Sequence, residues 1–355
     1  MLRPRVVRAP FLTVALFIFA SLVIPGASLH ARAQQSSAVV GDDTLRGIKL
    51  YRQGDLLGAV EALRTATKYR KDDAEAWLYL GLALTRTSHG KDARKAFEKA
   101  VKLNPNSSDA RAGWAYTLLL ADKIREATRE AEHALALDAQ NAEAHYILGI
   151  ARMKEHEPSN ALKEAEAALK INPQFTPALL LKSQALIGVY VERPFFAETS
   201  LASDADGTQT PRSSLKEAAE SLEKYLQLSP KAVDAALWRE QLEALRIYAQ
   251  AADKSGAERT LFTGREVTTK VRILSKPEPS FTEAARRNQV TGTIVLNAVF
   301  AHDGTVKHIL VLSDLPYGLT QKAVEAARKI KFIPATKDGR PVSMYYRIEY
   351  NFNLY

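Results

Sequence analysis

The 355-residue chain contains no cysteine. That excludes disulfides, thiolate metal sites and thiol nucleophiles, and identifies no compartment. No glycine-rich phosphate loop is present: Gly90-Lys91-Asp92 lacks both the earlier glycine and the following Ser/Thr. No His-Glu-x-x-His pair occurs. The histidines are scattered, with His133 and His145 on helical segments and His302 and His308 near strands, and no suitable third ligand accompanies them. Ser213-x-x-Lys216 and Ser221-x-x-Lys224 have serine–lysine spacing, but any helix surface repeats it. The expectation is a protein that is not an enzyme and needs neither metal nor cofactor. Acidic residues are missing from positions 1–33, which hold four arginines. Residues 265–355 hold 14 Lys/Arg against 8 Asp/Glu, and the long remainder 31 against 32. The net charge of +9 therefore sits at the two ends. A nucleic-acid binder should carry a basic stripe on its largest domain, so nucleic acid is excluded as a partner.

Arg3, Arg5 and Arg8 precede an apolar run, Phe11–Ile24, which Pro25-Gly26 ends. The run has 14 residues, whereas a helical span needs roughly 20. Ala31-Arg32-Ala33 supplies small residues where a signal peptidase reads. Residues 1–33 are thus expected to be a secretory signal, cleaved before Gln34, with export to the periplasm. An uncleaved inner-membrane anchor is the alternative.

From about residue 40 the chain repeats. Gly47, Gly81, Ala115 and Gly149 are 34 residues apart; so are Ala59, Ala93, Ala127 and Ala161, and Ala66, Ala100, Ala134 and Ala168. Small residues with this timing suit places where helix axes approach closely, with Leu80, Leu84, Phe97 and Leu103 filling the space around them. One helix pair cannot bury its own apolar stripe, so neighbouring pairs must stack. The pattern resembles the tetratricopeptide repeat. About five repeats occupy 40–252, at 40–73, 74–107, 108–141 and 142–175, with a fifth interrupted by a Ser/Thr-rich insertion near 193–214. A helix from Ala232 to Asp253, with an exposed-looking Arg239-Glu240-Gln241 side, caps the array. Residues 253–270 read as a linker.

The last stretch, 271–355, changes character. Phe281–Arg287 predicts a short helix, Thr291–Phe300 and Val306–Ser313 strands about an Asp303-Gly304 turn, Leu319–Ile330 a helix, and Met344–Phe352 a final strand after Asp338-Gly339. Its landmarks are Ala285-Arg286, Gly292-Thr293, Asp303-Gly304, Ala323, Ala326-Ala327, Phe332-x-Pro334-Ala335 and Gly339-x-Pro341-Val342. In that order they resemble the C-terminal domain of TonB-like proteins, periplasmic partners of outer-membrane receptors. The family often has Tyr-Pro where this chain has Phe281-Thr282, and its proline-rich spacer is absent. The expected fold class is an all-α tetratricopeptide solenoid followed by a small α+β TonB-like domain.

Two binding surfaces are expected. The repeat resemblance implies that the first helix of each pair lines an inner face, presenting Arg86, Tyr116, Tyr146 and Lys154; the alternative is that these residues are partly core and otherwise solvated. The TonB resemblance implies capture of a receptor segment by strand addition at Tyr345, Tyr346, Arg347, Ile348, Glu349, Tyr350 and Phe352, with Phe281 beside them. Such an edge is alternatively paired with another copy or blunted by Arg347 and Glu349. The expected role is a periplasmic adaptor of TonB type with protein partners, a TonB-dependent outer-membrane receptor among the candidates. The alternative is a repeat scaffold or assembly factor without energy coupling. Membrane association would come only through an uncleaved residue 1–33 segment.

Overall fold

The computed structural model describes residues 38–87, 89–192, 211–232, 235–253, 261–287, 289–315 and 317–354. The expected signal, 1–33, lies outside them, as do 193–210 of the expected insertion. Among the described residues no helix is long and apolar enough to cross a membrane. The described residues form two compact units, one within 38–155 and 163–178, the other within 156–162 and 179–354.

The first unit is built from α1 (Ala38–Gln53), α2 (Leu56–Tyr69), α3 (Ala74–Arg86), α4 (Gly90–Leu103), α5 (Ser108–Leu120), α6 (Ile124–Leu137), α7 (Ala142–Lys154) and most of α8 (Pro158–Ile171). Three first helices of pairs begin on side chains spaced by one repeat. Asp73, Ser107 and Asn141 accept from the backbone N–H of Ala76, Ala110 and Ala144 at 2.9, 3.2 and 2.8 Å. Each such cap satisfies a donor that the helix start would otherwise leave unpaired, worth about 1 kcal/mol. His89 and Lys123, at the heads of second helices, give no such bond.

The 34-residue step is also chemical where the residue types differ. Trp77 Nε1 donates to the Lys71 carbonyl at 3.0 Å, and Arg111 Nε to that of Pro105 at 3.0 Å, each six residues back. Arg111 reaches Glu130 at 2.8 Å, and His145, one repeat on, reaches Glu164 at 2.7 Å. Unlike side chains at one repeat position thus tie a first helix either to the turn before it or to its second helix.

Small residues hold the close approaches. Ala59, Ala66, Ala93, Ala100, Ala127, Ala134, Ala161 and Ala168 are all buried. A Cβ at Gly81 would come within 2.8 Å of the Phe97 ring, and one at Gly47 within 2.5 Å of Leu63. Phe97, fully buried, fills the space left by Gly81 and Gly113 together.

The second unit contains the rest of α9 (Thr176–Glu192), then α10 (Pro211–Leu228) and α11 (Ala235–Asp253). The helix resumes at Pro211, inside the expected insertion. Next come β1 (Leu261–Phe262), β2 (Arg272–Ser275), α12 (Glu283–Arg287), β3 (Gly292–Phe300), β4 (Val306–Ser313), α13 (Leu319–Ala327), β5 (Lys331–Ile333), β6 (Ala335–Lys337) and β7 (Arg340–Phe352). The main sheet runs β1-β7-β3-β4, with β6 hairpinned onto β7 and β2 paired with β5 apart from it. Positive φ at both Asp338 (50°) and Gly339 (77°) turns β6 into β7. The face of β3 carrying Ile294, Leu296, Ala298 and Phe300 and that of β7 carrying Ile348, Tyr350 and Phe352 are buried with Leu319, Ala323 and Ala327 of α13. At the corner where the family often has proline, the Thr282 hydroxyl accepts from the Ala285 N–H at 3.1 Å and donates to the Tyr317 carbonyl at 2.7 Å.

Two expectations change here. The segment read as a linker, 253–270, contains β1, whose Leu261 and Phe262 are buried and pair in parallel with Ser343 and Met344. Thr269 forms a bridge to Thr336. On the Arg239-Glu240-Gln241 side of α11, Arg239 and Glu240 are exposed as expected, but Gln241 is only 3 % exposed.

The tight packing at Gly81 yields a stability prediction. Gly81→Leu should destabilise the protein by about 1–3 kcal/mol through overpacking against Phe97, while Lys91→Leu at an exposed position should shift the melting temperature little. Matching thermal melts for the two variants would contradict the assigned packing.

Candidate functional site

Every strand at the border of a sheet carries backbone groups with no strand to receive them, so the treatment of the two borders decides where a partner can attach. At the centre of the β4 border two of these groups are taken. Gln241 of α11 donates from Nε2 to the Ile309 carbonyl at 3.1 Å and accepts at Oε1 from the Val311 N–H at 2.9 Å. One side-chain amide therefore makes the two bonds that one residue of an added parallel strand would make. Arg328–Glu240 at 2.6 Å, His308–Glu243 at 3.4 Å and the Tyr248–Tyr345 ring pair at 5.0 Å flank it.

The β7 border is different. β3 pairs with β7 from Met344 to Phe352 on one side. On the other, β1 ends at Met344 and β6 at Val342, so residues 346–352 have β3 as their only paired strand among the described residues. Ser313 Oγ donates to the Thr293 carbonyl, which places the odd-numbered groups at that end of β3 toward β4. By alternation, Arg347, Glu349 and Asn351, which pair with Asn297, Val295 and Thr293, direct their backbone groups away from β3. The Glu349 carbonyl, which accepts from Lys276 Nζ at 2.7 Å, agrees with this direction.

The structure thereby divides the expected strand residues. Ile348, Tyr350 and Phe352 are core side chains, 1–2 % exposed, and their backbones face β3. Tyr346 is half-buried against Phe300, with ring centres 4.6 Å apart. Tyr345 packs on Tyr248, and Phe281 meets Phe352 edge-on at 5.4 Å under Arg286. Burial pushes the Tyr350 phenol up to about 12, with the charge of Glu278 adding to the shift. Arg347 and Glu349 are exposed and joined to each other, Nε to Oε1, at 3.0 Å. An added strand would therefore read the outward backbone at 347–351, while the even-numbered side chains hold the edge in place.

On the array, the inner-face expectation is corrected for three of its four residues. Tyr116, Tyr146 and Lys154 are buried by the stacking of neighbouring helices. Tyr146 packs edge-on against Phe175 at 5.6 Å, and Lys154 Nζ lies 3.1 Å from Asp122 Oδ1. Burial also raises the Tyr116 phenol pKa. Arg86 stays half-buried, its guanidinium 5.4 Å from the Tyr51 ring centre. Burial pushes the Tyr51 phenol up to about 12, against the opposing field of Arg86. Arg52 reaches the Tyr79 hydroxyl at 3.4 Å. Asp109 and Glu143, one repeat apart, have raised pKa values. Burial is the main cause for both; the charge of Asp138 adds for Asp109, and that of Asp109 adds for Glu143. Tyr51, Arg52, Tyr79, Asp109 and Glu143 were missed in the sequence; the only signal was that positions 109 and 143 keep the repeat step.

Residues 277–354 match the family described as Gram-negative bacterial TonB protein C-terminal, and residues 53–179 match the cytochrome c-type biogenesis protein H TPR domain. The chain is 27 % identical over 119 residues to the cytochrome c-type biogenesis protein CycH of Pseudomonas aeruginosa, covering 33 % of this chain and 29 % of that protein. Among solved structures, PilW, a widely conserved type IV pilus biogenesis factor, is 20 % identical with a TM-score of 0.46, over 62 % of this chain and 90 % of that one. A thermophilic tetratricopeptide protein of Thermus thermophilus is 16 % identical with a TM-score of 0.44, over 59 % and 99 %. The chain thus carries a tetratricopeptide array and a TonB-like C-terminal domain, both protein-interaction modules of envelope-associated families.

Gln241→Leu should leave the Ile309 carbonyl and the Val311 N–H without partners, costing about 1–3 kcal/mol. Hydrogen exchange at Val311 should accelerate; unchanged protection there would show that α11 does not close this border.

Proposed function

We propose that this chain, a tetratricopeptide array joined to a TonB-like domain, is a periplasmic adaptor that captures an extended segment of an outer-membrane receptor or transport partner. The observation that supports it is the asymmetry of the sheet: Gln241 closes the β4 border, whereas 346–352 of β7 keep outward backbone groups. A segment laid along β7 would draw affinity from backbone hydrogen bonds and register from side chains. The array offers a second protein partner the face around Arg86, Tyr51 and Glu143. The role is binding, without catalysis, metal or cofactor. With residues 1–33 removed, no helix among the described residues is long and apolar enough to cross a membrane and reach an inner-membrane motor.

The array supports a second reading, a periplasmic scaffold or assembly factor without energy coupling. Its favouring observation is that residues 53–179, within the repeats, match the cytochrome c-type biogenesis protein H TPR domain, and that CycH, a cytochrome c-type biogenesis protein, is similar over 119 residues. In that reading the C-terminal domain only docks or dimerises.

Titration with a synthetic N-terminal segment of an outer-membrane receptor separates the two. Glu349→Pro removes an outward N–H without breaking a bond to β3. It should weaken binding by roughly three- to tenfold, the worth of one backbone hydrogen bond, while Glu349→Ala binds almost as the parent does. Arg347→Pro should behave like Glu349→Pro. Equal affinities for proline and alanine variants that keep their circular dichroism would rule out strand addition here.

Export has its own test. Protein recovered from the envelope fraction should begin at Gln34 on N-terminal sequencing. Recovery of intact residues 1–33 in the inner membrane would instead establish the anchored form and restore the means of coupling.

A further inference from the structure

Lys276 follows β2 and is exposed, yet its ammonium is engaged. Its Nζ donates to the Glu349 carbonyl at 2.7 Å and sits 4.6 Å from the centre of the Tyr350 ring. That carbonyl is one of the outward groups an added strand must use. Lys276 makes no ion pair among the described residues, and the Glu349 carboxylate beside it is held by Arg347. Arg272 and Lys331 stand exposed on the adjoining β2–β5 ribbon, in a segment where Lys and Arg exceed Asp and Glu by 14 to 8.

We propose that Lys276 guards the open border of β7 and selects an extended segment that carries a carboxylate opposite Glu349. This inference rests on the strand-addition reading above and names the chemistry of its partner. A neutral strand that displaces the ammonium from the Glu349 carbonyl replaces one hydrogen bond by another and leaves the cation with the Tyr350 ring and water. A segment with Asp or Glu at that place gives the displaced ammonium a charge-assisted partner as its own backbone takes over the carbonyl. A lysine lying on a bare border also discourages indiscriminate strand pairing, including pairing with a second copy of the chain. The same side chain would then reject a neutral strand and admit an acidic one.

The test uses the full mature chain and two synthetic peptides, an N-terminal receptor segment with one acidic residue and its amide twin, at low and high salt. The parent should bind the acidic peptide roughly tenfold more tightly than the twin, and high salt should narrow the gap. Lys276→Gln should bind both alike, and should bind the twin at least as well as the parent does. Persistence of the acid preference in Lys276→Gln, or its absence from the parent, overturns the proposal. Glu349→Pro distinguishes the two levels. If it weakens binding roughly three- to tenfold while Lys276→Gln changes nothing, strand addition stands and the guard falls. If Glu349→Pro binds as tightly as Glu349→Ala, or the parent takes neither peptide, both fall. A parent protein that already dimerises through this border would give it to a second copy with Lys276 in place, and that also overturns the proposal.

Discussion

A β-sheet must do something with the backbone groups along its borders, and this requirement shapes the C-terminal half of the chain. Unpaired N–H and C=O groups that lose water without gaining partners cost stability. The sheet meets the requirement in unlike ways at its two sides. Toward β4, helix α11 brings a single amide, Gln241, into register with Ile309 and Val311. Toward β7, the short β1 covers only Ser343 and Met344, and a lysine covers Glu349. The proposed partner, an extended segment, follows from that difference.

The array obeys a different constraint, the distance between helix axes. Gly81 and Gly113 leave room for one phenyl ring, Phe97, and the alanine ladders keep the rest of the spacing. Chemistry can then vary at positions where geometry does not. Trp77 and Arg111 bond equivalent turn carbonyls, and Arg111 and His145 bond equivalent carboxylates. Identity at those positions drifts while the connection they make is retained.

Much of this was legible in the chain itself, because it rested on local or periodic signals. The 34-residue recurrence of small residues located the helix pairs, alternation located β3, β4 and β7, and the Asp-Gly pairs located turns. What was not legible depended on residues far apart in sequence. Gln241 lies 68 positions from Ile309, and nothing in Arg239-Glu240-Gln241 distinguishes a wet helix face from one pressed against a strand. β1 is two residues long, too short for any pattern, and is a strand only because β7 is there to receive it. Tyr116, Tyr146 and Lys154 have the look of a groove lining, but stacking buries them; a lysine buried beside Asp122 is not something periodicity announces. Along β7, alternation separated Arg347 and Glu349 from Ile348 and Tyr350 correctly. Which backbone groups point outward needed the neighbouring strands.

The uninterrupted pairing of β7 with β3 has a mechanical meaning. Nine consecutive residue pairs, from Met344–Phe300 to Phe352–Gly292, connect the two strands. A tug applied along the axis of β7 would load those rungs together, in shear, rather than opening them one after another like a zipper. The load would pass on through β4 to the amide of Gln241 and so into α11, at right angles to the strand direction. A strand held this way resists extraction lengthwise and yields more readily to peeling, so the domain is built to hold against a pull in one direction and to let go in another.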